Sequence, residues 1–535
     1  MTMDHRPFTL KLPEIAESDQ TPVVRSLLQV IGEQQAHIQR LEDELRRLQG
    51  GPPRPQLKPN TRQAAVKAAL NPGAEEPHRR GPQRAKTAEL VIHETCRIIL
   101  EDVPLGSRFQ GYRQYVVQDV VIELHNTCYE LEQWRFPTGE YVTASVPVAV
   151  RGGHYGPQLV TYILHQYYQA HVTQPVLLAQ VREWGIEISS GQLNRLLTEG
   201  HEDFHREKEV IKAVGLTVSS YVQTDDTGAR HQGQNGYCTY LGNEWFAYFA
   251  STDAKSRINF LEVLQTERRY EINAEALAYM ADHGVAAGHR ERLAQRPIVA
   301  TDPQAWAAYL RRNLVDSPRA ITLVTEGALI GGLAAQGFPL DLRLLSDDAG
   351  QFALFTHALC WVHAERPLQQ ILPLNAADRV AIDDVQEQIW TIYRDLAAYR
   401  LSPTEAAKAA INAQFDTLCG TATACEPLNH VLRSFQRNRE ELLRVLDYPE
   451  LPLHNNRSEN DIRDMVKKRK ISAGTRSEDG RRCRDTFLSL KKTCVKHGLS
   501  FWEYLYDRVS GQNTIPPLVD LVRHAAAPEP MSACS

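Results

Sequence analysis

Three acidic residues stand where catalytic carboxylates are commonly delivered. Asp225 closes the apolar run in Tyr221-Val-Gln-Thr-Asp-Asp-Thr227, and Asp347 follows Leu342-Arg-Leu-Leu-Ser346. Both runs read as strands ending in an acid. Glu459 lies in His454-Asn-Asn-Arg-Ser-Glu-Asn460, which opens a helix-like stretch that turns strongly basic within ten residues. Carboxylates gathered from distant segments can hold two divalent metal ions for phosphoryl transfer. A basic segment beside them holds a polyanion. That combination is the chemistry of cutting and joining DNA.

The charge distribution agrees. The 535-residue chain carries a net charge of -5, yet residues 51–90 hold eight Lys/Arg against three Asp/Glu, and residues 457–496 hold thirteen against six. Basic stretches on an acidic chain point to a localised polyanion site. The cations nominated for DNA are Arg457, Lys467, Lys468, Arg469 and Lys470 on the expected helix. Arg476, Arg481 and Arg482 follow, in what reads as a loop from Gly474 to Arg484, and guanidinium groups match phosphate bidentately. A solvated charged face is the plainer reading of either stretch alone.

A second set of residues has metal-ligand spacing. His93-Glu-Thr-Cys96 and His125-Asn-Thr-Cys128 repeat both spacing and neighbours. Paired knuckles of this kind resemble a zinc ribbon, with His93, Cys96, His125 and Cys128 as four tetrahedral ligands. Surface histidines with ordinary cysteines are the alternative. Tyr115–Leu124 between them reads as a strand.

The elements that must position these groups indicate a multidomain α/β protein. Residues 1–50 hold a coiled coil, with Val24, Ile31, Ile38 and Leu45 at one heptad position and Leu27, Gln34, Leu41 and Leu48 at the other. This predicts a homo-oligomer. Residues 51–88, rich in Pro, Gly, Arg and Gln, read as a flexible basic linker, and 89–150 as the zinc-ribbon-like module. Residues 151–212 form a helical DNA-binding region with helix–turn–helix character around Gly185, the second helix capped by Ser189 or Ser190. Residues 213–475 open with three antiparallel strands, the first ending in an acid, as a ribonuclease H-like core does. Helical insertions are expected at about 267–317 and 377–447, strand then helix over 320–337, and a basic C-terminal region over 476–535. No run of 18 apolar residues occurs and the first residues lack an apolar segment, so neither a membrane span nor a secretory signal is expected. Nine scattered cysteines suggest a reducing cytoplasm.

These residues resemble the insertion-sequence-sixty-six transposases of bacteria. Asp225-Asp226-Thr227 is similar to that family's Asp-Glu-Thr, Cys360-Trp-Val-His363 to its Cys-Trp-x-His, and Asn455-Asn456-Arg-Ser-Glu459 to its Asn-Asn-x-x-Glu. The tail Arg484–Cys494 with Trp502-Glu-Tyr-Leu505 is similar too. His454 departs from the pattern, standing where the family usually has an acid. The resemblance implies a DDE-type transposase whose triad is Asp225, Asp347 and Glu459, binding two magnesium ions. It favours Asp225 and Asp347 over their neighbours Asp226 and Asp348, whose side chains point to the opposite strand face. It further implies DNA partners at the element's ends and target, accessory element-encoded proteins, and a nucleoid-associated location. A catalytically inactive DNA-binding protein, repressor-like or a decayed transposase, is the alternative.

Overall fold

The computed structural model describes residues 91–527 apart from 100–106, 111, 114, 148, 149, 151 and 152. The coiled-coil expectation over 24–48 and the linker expectation over 51–88 lie outside the described residues. The chain divides into two compact units, Met1–Val120 and Val121–Ser535. In the first, the described residues form no regular secondary structure and are almost all exposed. The strand expected over Tyr115–Leu124 does not form. Valine-rich composition favours a strand only where a neighbour supplies a hydrogen-bonding ladder, and none is present for this run among the described residues.

The second unit begins with an exposed two-stranded pair, Gln133–Arg135 against Tyr141–Thr143. Four helices follow: α1 (Pro157–Tyr168), α2 (Gln174–Glu183), α3 (Ser190–Thr198) and α4 (Glu202–Val218). Leu177 and Val181 of α2 and Leu193 and Leu197 of α3, each four residues apart on one face, are buried with Ile163 and Leu164 of α1. Gly185 turns between α2 and α3 at φ +86°. Ser189 caps α3 by accepting from the Gln192 amide, as the sequence suggested.

A five-stranded mixed sheet forms the centre. Its strands are β1 (Tyr221–Gly228), β2 (Tyr237–Gly242), β3 (Ala247–Thr252), β4 (Arg343–Ser346) and β5 (Thr356–Leu359). Their order is β5-β4-β1-β2-β3. β1, β2 and β3 form an antiparallel meander, while β4 runs parallel to β1 and β5 parallel to β4. The period-2 alternation of strands divides the side chains between two faces. Cys238, Tyr240, Ala247 and Phe249 enter one buried cluster. Leu241, Phe246 and Tyr248 enter another.

Between β3 and β4 lie α5 (Arg257–Leu264), α6 (Ala274–Asp282), α7 (Ala287–Ala294), α8 (Pro303–Arg312) and α9 (Pro318–Ala335). The strand expected at the start of 320–337 is absent, and α9 is one continuous helix capped by Ser317. Its residues Val324–Leu333 are all buried, so the sequence lacks the one-sided periodicity that separates a buried helix from a buried strand. Gly332 lets α9 approach closely, since a Cβ there would lie 2.0 Å from the Arg269 carbonyl oxygen.

After β5 come α10 (Trp361–Gln369), α11 (Ala376–Leu401), α12 (Glu405–Cys419) and α13 (Glu426–Arg437). They form their own apolar cluster, anchored to the sheet by buried Trp361, whose indole donates to the Leu442 carbonyl at 2.9 Å. The chain then enters α14 (Asn456–Ser472), α15 (Glu478–Lys496), α16 (Phe501–Val509) and α17 (Leu518–Ala526). α15 begins six residues before the expected end of the Gly474–Arg484 loop, because Ser477 caps it by accepting from the Gly480 amide. Arg481 and Arg482 are therefore helical. Among the described residues, no helix is long and apolar enough to cross a membrane.

Candidate functional site: three carboxylates beside a basic helix

Strand register decides which acids face one another. Asp225 pairs across the ladder with Tyr240, and Asp226 with Thr239. Directly opposed residues project from the same face. Tyr240 donates to Asp461 of α14 at 2.9 Å, so α14 covers the Asp225 face. Gln223, two residues before Asp225, faces the same way. It accepts from the Ser458 amide at 3.3 Å and donates to the His454 carbonyl at 3.4 Å, holding the start of α14 on β1. Leu345 aligns with Gln223 in the parallel ladder, and Asp347 lies two residues beyond it on the same alternation. Glu459 sits in the first turn of α14, where the helix dipole favours a carboxylate.

The electrostatics carry the same message. Burial, then the neighbouring Asp347, and more weakly Asp226 and Glu459, push the Asp225 carboxyl up to about 7 against the partial offset of the Asp226 amide. That amide donates to Asp225 Oδ1 at 2.7 Å. Glu459 meets His363 Nε2 at 3.3 Å and Arg366 at 3.7 Å. Burial, then Arg366, lowers the His363 pKa despite Glu459 and Asp347, so this imidazole is neutral near pH 7. The three nominated acids therefore share one neighbourhood. Among the described residues, no three His, Cys, Asp or Glu side chains are gathered closely enough to hold a metal ion as they stand.

The adjacent acids have other partners. Asp226 accepts from Thr239 Oγ1 at 2.6 Å and from Gln351 Nε2 at 3.0 Å. Burial raises its pKa, and those two hydrogen bonds oppose the rise. Asp348 is exposed and accepts from Asn438 at 3.1 Å.

The nominated cations separate into three groups. Arg457 pairs with Glu244 at 3.6 Å, Arg481 with Asp253 at 2.9 Å and Arg482 with Glu202 at 3.0 Å. Arg469 donates to the Gly228 carbonyl at 2.6 Å, which ties α14 to the end of β1. Lys468 sits 3.6 Å from the Tyr167 ring centroid and donates to the Tyr167 carbonyl at 3.3 Å. Lys470 and Arg476 are exposed, and Lys467 is held only by Asp464, three residues back on the same helix. Arg463, which sequence reasoning missed, is also exposed. It follows Glu459 by four residues and Lys467 follows by eight, so the three share a side of α14. That four-residue spacing was visible in the sequence.

The same helix is braced by buried charges. Asp464 meets Lys491 at 2.9 Å and Lys492 at 3.1 Å, and Asp461 meets Lys496 at 2.8 Å. Burial alone would raise the Asp464 carboxyl, but Lys491 and Lys492 outweigh it and hold it well below the usual carboxylate range.

His93 and Cys96 lie in the first unit, and His125 and Cys128 in the second; all four are exposed. Cys96 donates to Glu94 at 3.5 Å. That hydrogen bond is the main cause of a raised thiol pKa, which opposes the thiolate zinc requires.

Three carboxylates thus lie near the start of a helix rich in Lys and Arg, on a mixed five-stranded sheet. The model of the Transposase IS66 family matches residues 348–482, a span that includes Glu459 and all of α14 and begins one residue after Asp347. Uncharacterized protein y4jO of Sinorhizobium fredii is 40% identical over 317 residues, covering 58% of this chain and 98% of that protein. No solved structure matches the chain. The chain belongs to the Transposase IS66 family.

Proposed function

We propose that this transposase cleaves and joins DNA through Asp225, Asp347 and Glu459, on a ribonuclease H-like core, with two magnesium ions as cofactor. The observation that carries the reading is the shared face: β1, β4 and the start of α14 direct three acids into one neighbourhood, and Asp225 is strained electrostatically by the other two. An antiparallel meander flanked by parallel strands, with one acid within the first strand and another just past the fourth, is what such a core requires. The donor set fits magnesium, which takes hard carboxylate oxygens and would relieve their mutual repulsion. When bound, magnesium supplies activation of a water or DNA 3′-hydroxyl and stabilisation of the leaving oxygen.

The protein's own groups do the rest. Asp225, Asp347 and Glu459 are the oxygen donors. Neutral His363 and cationic Arg366 orient the Glu459 carboxylate. Arg463, Lys467 and Lys470 lie on the exposed side of α14 and hold DNA phosphates leading away from Glu459, while the paired Arg481 and Arg482 brace helices. DNA ends and target are the partners. The test is incubation of the chain with magnesium and the DNA that flanks its gene. Strand cleavage supports the reading; DNA binding without cleavage under all metal conditions turns it into an inactive DNA-binding protein.

Zinc enters this proposal on the repeated His-x-Thr-Cys spacing alone. Metal analysis of purified wild type should then show one zinc per chain that Cys96→Ser/Cys128→Ser loses. Equal zinc content in the two proteins removes zinc from the reading.

A further inference from the structure

Away from the three acids, on the opposite side of α14, the structure forms a small open cleft. Lys468 follows Glu459 by nine residues, half a turn out of phase, so the two side chains diverge. Tyr167, Arg230, Lys468, Arg469, Ser472 and Thr475 line the cleft. The glycine at 474 closes one wall, because a Cβ there would lie 2.3 Å from the Arg230 carbonyl oxygen. Residues 474–475 thereby pair in parallel with 230–231. Beside it, Ala473 holds φ +59° and ψ -61°, a conformation strained for a non-glycine residue and one that clusters at functional sites.

The charges on this cleft are unbalanced. Arg230 donates to the Gly233 carbonyl, Arg469 to the Gly228 carbonyl, and Lys468 to the Tyr167 carbonyl while lying over the Tyr167 ring. Among the described residues, none of the three meets a carboxylate. The nearest acid on the helix, Asp464, is engaged by Lys467, Lys491 and Lys492. Arg484, also on the cleft, is the one lining cation here matched by a carboxylate, Asp485. Burial lowers the Lys468 ammonium to about 8. A largely buried ammonium without an acid is costly unless something else compensates it.

We infer that this cleft binds a phosphate group, with Lys468, Arg230 and Arg469 as its cationic partners and the hydroxyl of Ser472 as a donor. Guanidinium and ammonium groups beside a hydroxyl are the chemistry of phosphate recognition; the Thr475 hydroxyl on the same wall is already bonded to His231 Nδ1 at 2.9 Å. The phosphate is either part of a DNA backbone, which would make the cleft a second DNA contact separate from the carboxylate site, or a free anion.

Full-length protein without magnesium separates these sources and needs no cleavage. Fluorescence anisotropy on a random DNA duplex of about 30 base pairs, three helical turns, measures affinity against salt. Each neutralised phosphate contact contributes a slope near 0.9, about eightfold in affinity at 0.1 M salt. If the cleft takes DNA, Lys468→Gln and Arg230→Gln each lower the slope by about one unit and affinity about eightfold, and Lys468→Arg restores both. If it takes a free anion, DNA slopes are unchanged, but inorganic phosphate raises the melting temperature of the wild type and not of Lys468→Gln. Arg230 is exposed, so its substitution tests the site even if Lys468→Gln folds poorly. Unchanged slopes together with equal phosphate stabilisation of wild type and Arg230→Gln overturn the inference. A wild type that cleaves DNA but gains no stability from phosphate, with DNA slopes unchanged in both variants, sinks the cleft and leaves the carboxylate reading standing.

Discussion

Under the proposed mechanism, replacing Asp225 with Asn is expected to abolish magnesium-dependent cleavage, by at least about a hundredfold, and to leave DNA binding intact. Asp347→Asn and Glu459→Gln do the same. Each change keeps the side-chain shape and removes an anionic oxygen donor. The proposed phosphate contacts lie on other residues of α14, so binding should survive. Asp225 adds a signature that a merely structural acid would lack. Its carboxyl titrates near 7 in the folded protein, against about 3.9 when unfolded. The folded state therefore holds the proton more tightly, and stability falls as pH rises through the window from about 4 to about 7. Above that window the metal-free protein carries a penalty on the order of 4 kcal/mol. Asp225→Asn removes it and melts higher than wild type above pH 7 without magnesium. Adding magnesium reverses the order, since only the wild type gains the free energy of binding the ion. Thermal melts at two pH values, with and without magnesium, read all four states. Wild-type-like cleavage by all three variants ends the enzyme reading. Cleavage lost in Asp226→Asn and Asp348→Asn but kept in Asp225→Asn and Asp347→Asn shows a register one residue away.

Asp464→Asn destabilises the protein by about 3 kcal/mol, because it leaves Lys491, which is 4% exposed, without its anion. The sign with pH follows from its depressed carboxyl. The stability Asp464 contributes is complete above its unfolded value, about 3.9, and is lost as pH falls below it. Wild type thus loses stability on acidification faster than Asp464→Asn, and the gap between them narrows toward low pH. The helix braced by this acid also carries Glu459, so cleavage falls at temperatures where the fold survives. Urea unfolding at neutral and acid pH checks the claim, and a gap that stays constant with pH contradicts it. Asp464→Glu keeps the charge and should recover part of both losses.

Much of the site was legible in the amino-acid order. Asp225 and Asp347 end apolar runs, and Glu459 opens a stretch that turns basic, because local patterns record strands and helix starts, although the strand holding Asp225 runs on to Gly228. The helix pair around Gly185 and its Ser189 cap were legible for the same reason, as turn and cap chemistry is local. The α9 segment was not, since burial on every side erases the periodicity that distinguishes helix from strand.

By itself, then, the sequence determined the acids, the basic stretch, the strand-and-helix alternation and the family. The tertiary structure alone decided which members of each set meet. Pairing Asp225 with Tyr240 and Asp226 with Thr239 placed the first acid under α14 and the second toward Gln351. Ion pairs with Asp253 and Glu202 withdrew Arg481 and Arg482 from the free cations, while Arg463 and Lys470 stayed exposed. The packing of α14 against α1 and the 230–231 strand grouped Lys468 with Arg230 across more than two hundred residues of chain. Composition records how many charges a chain has. Long-range packing decides which of them are neutralised by the protein and which remain for a ligand.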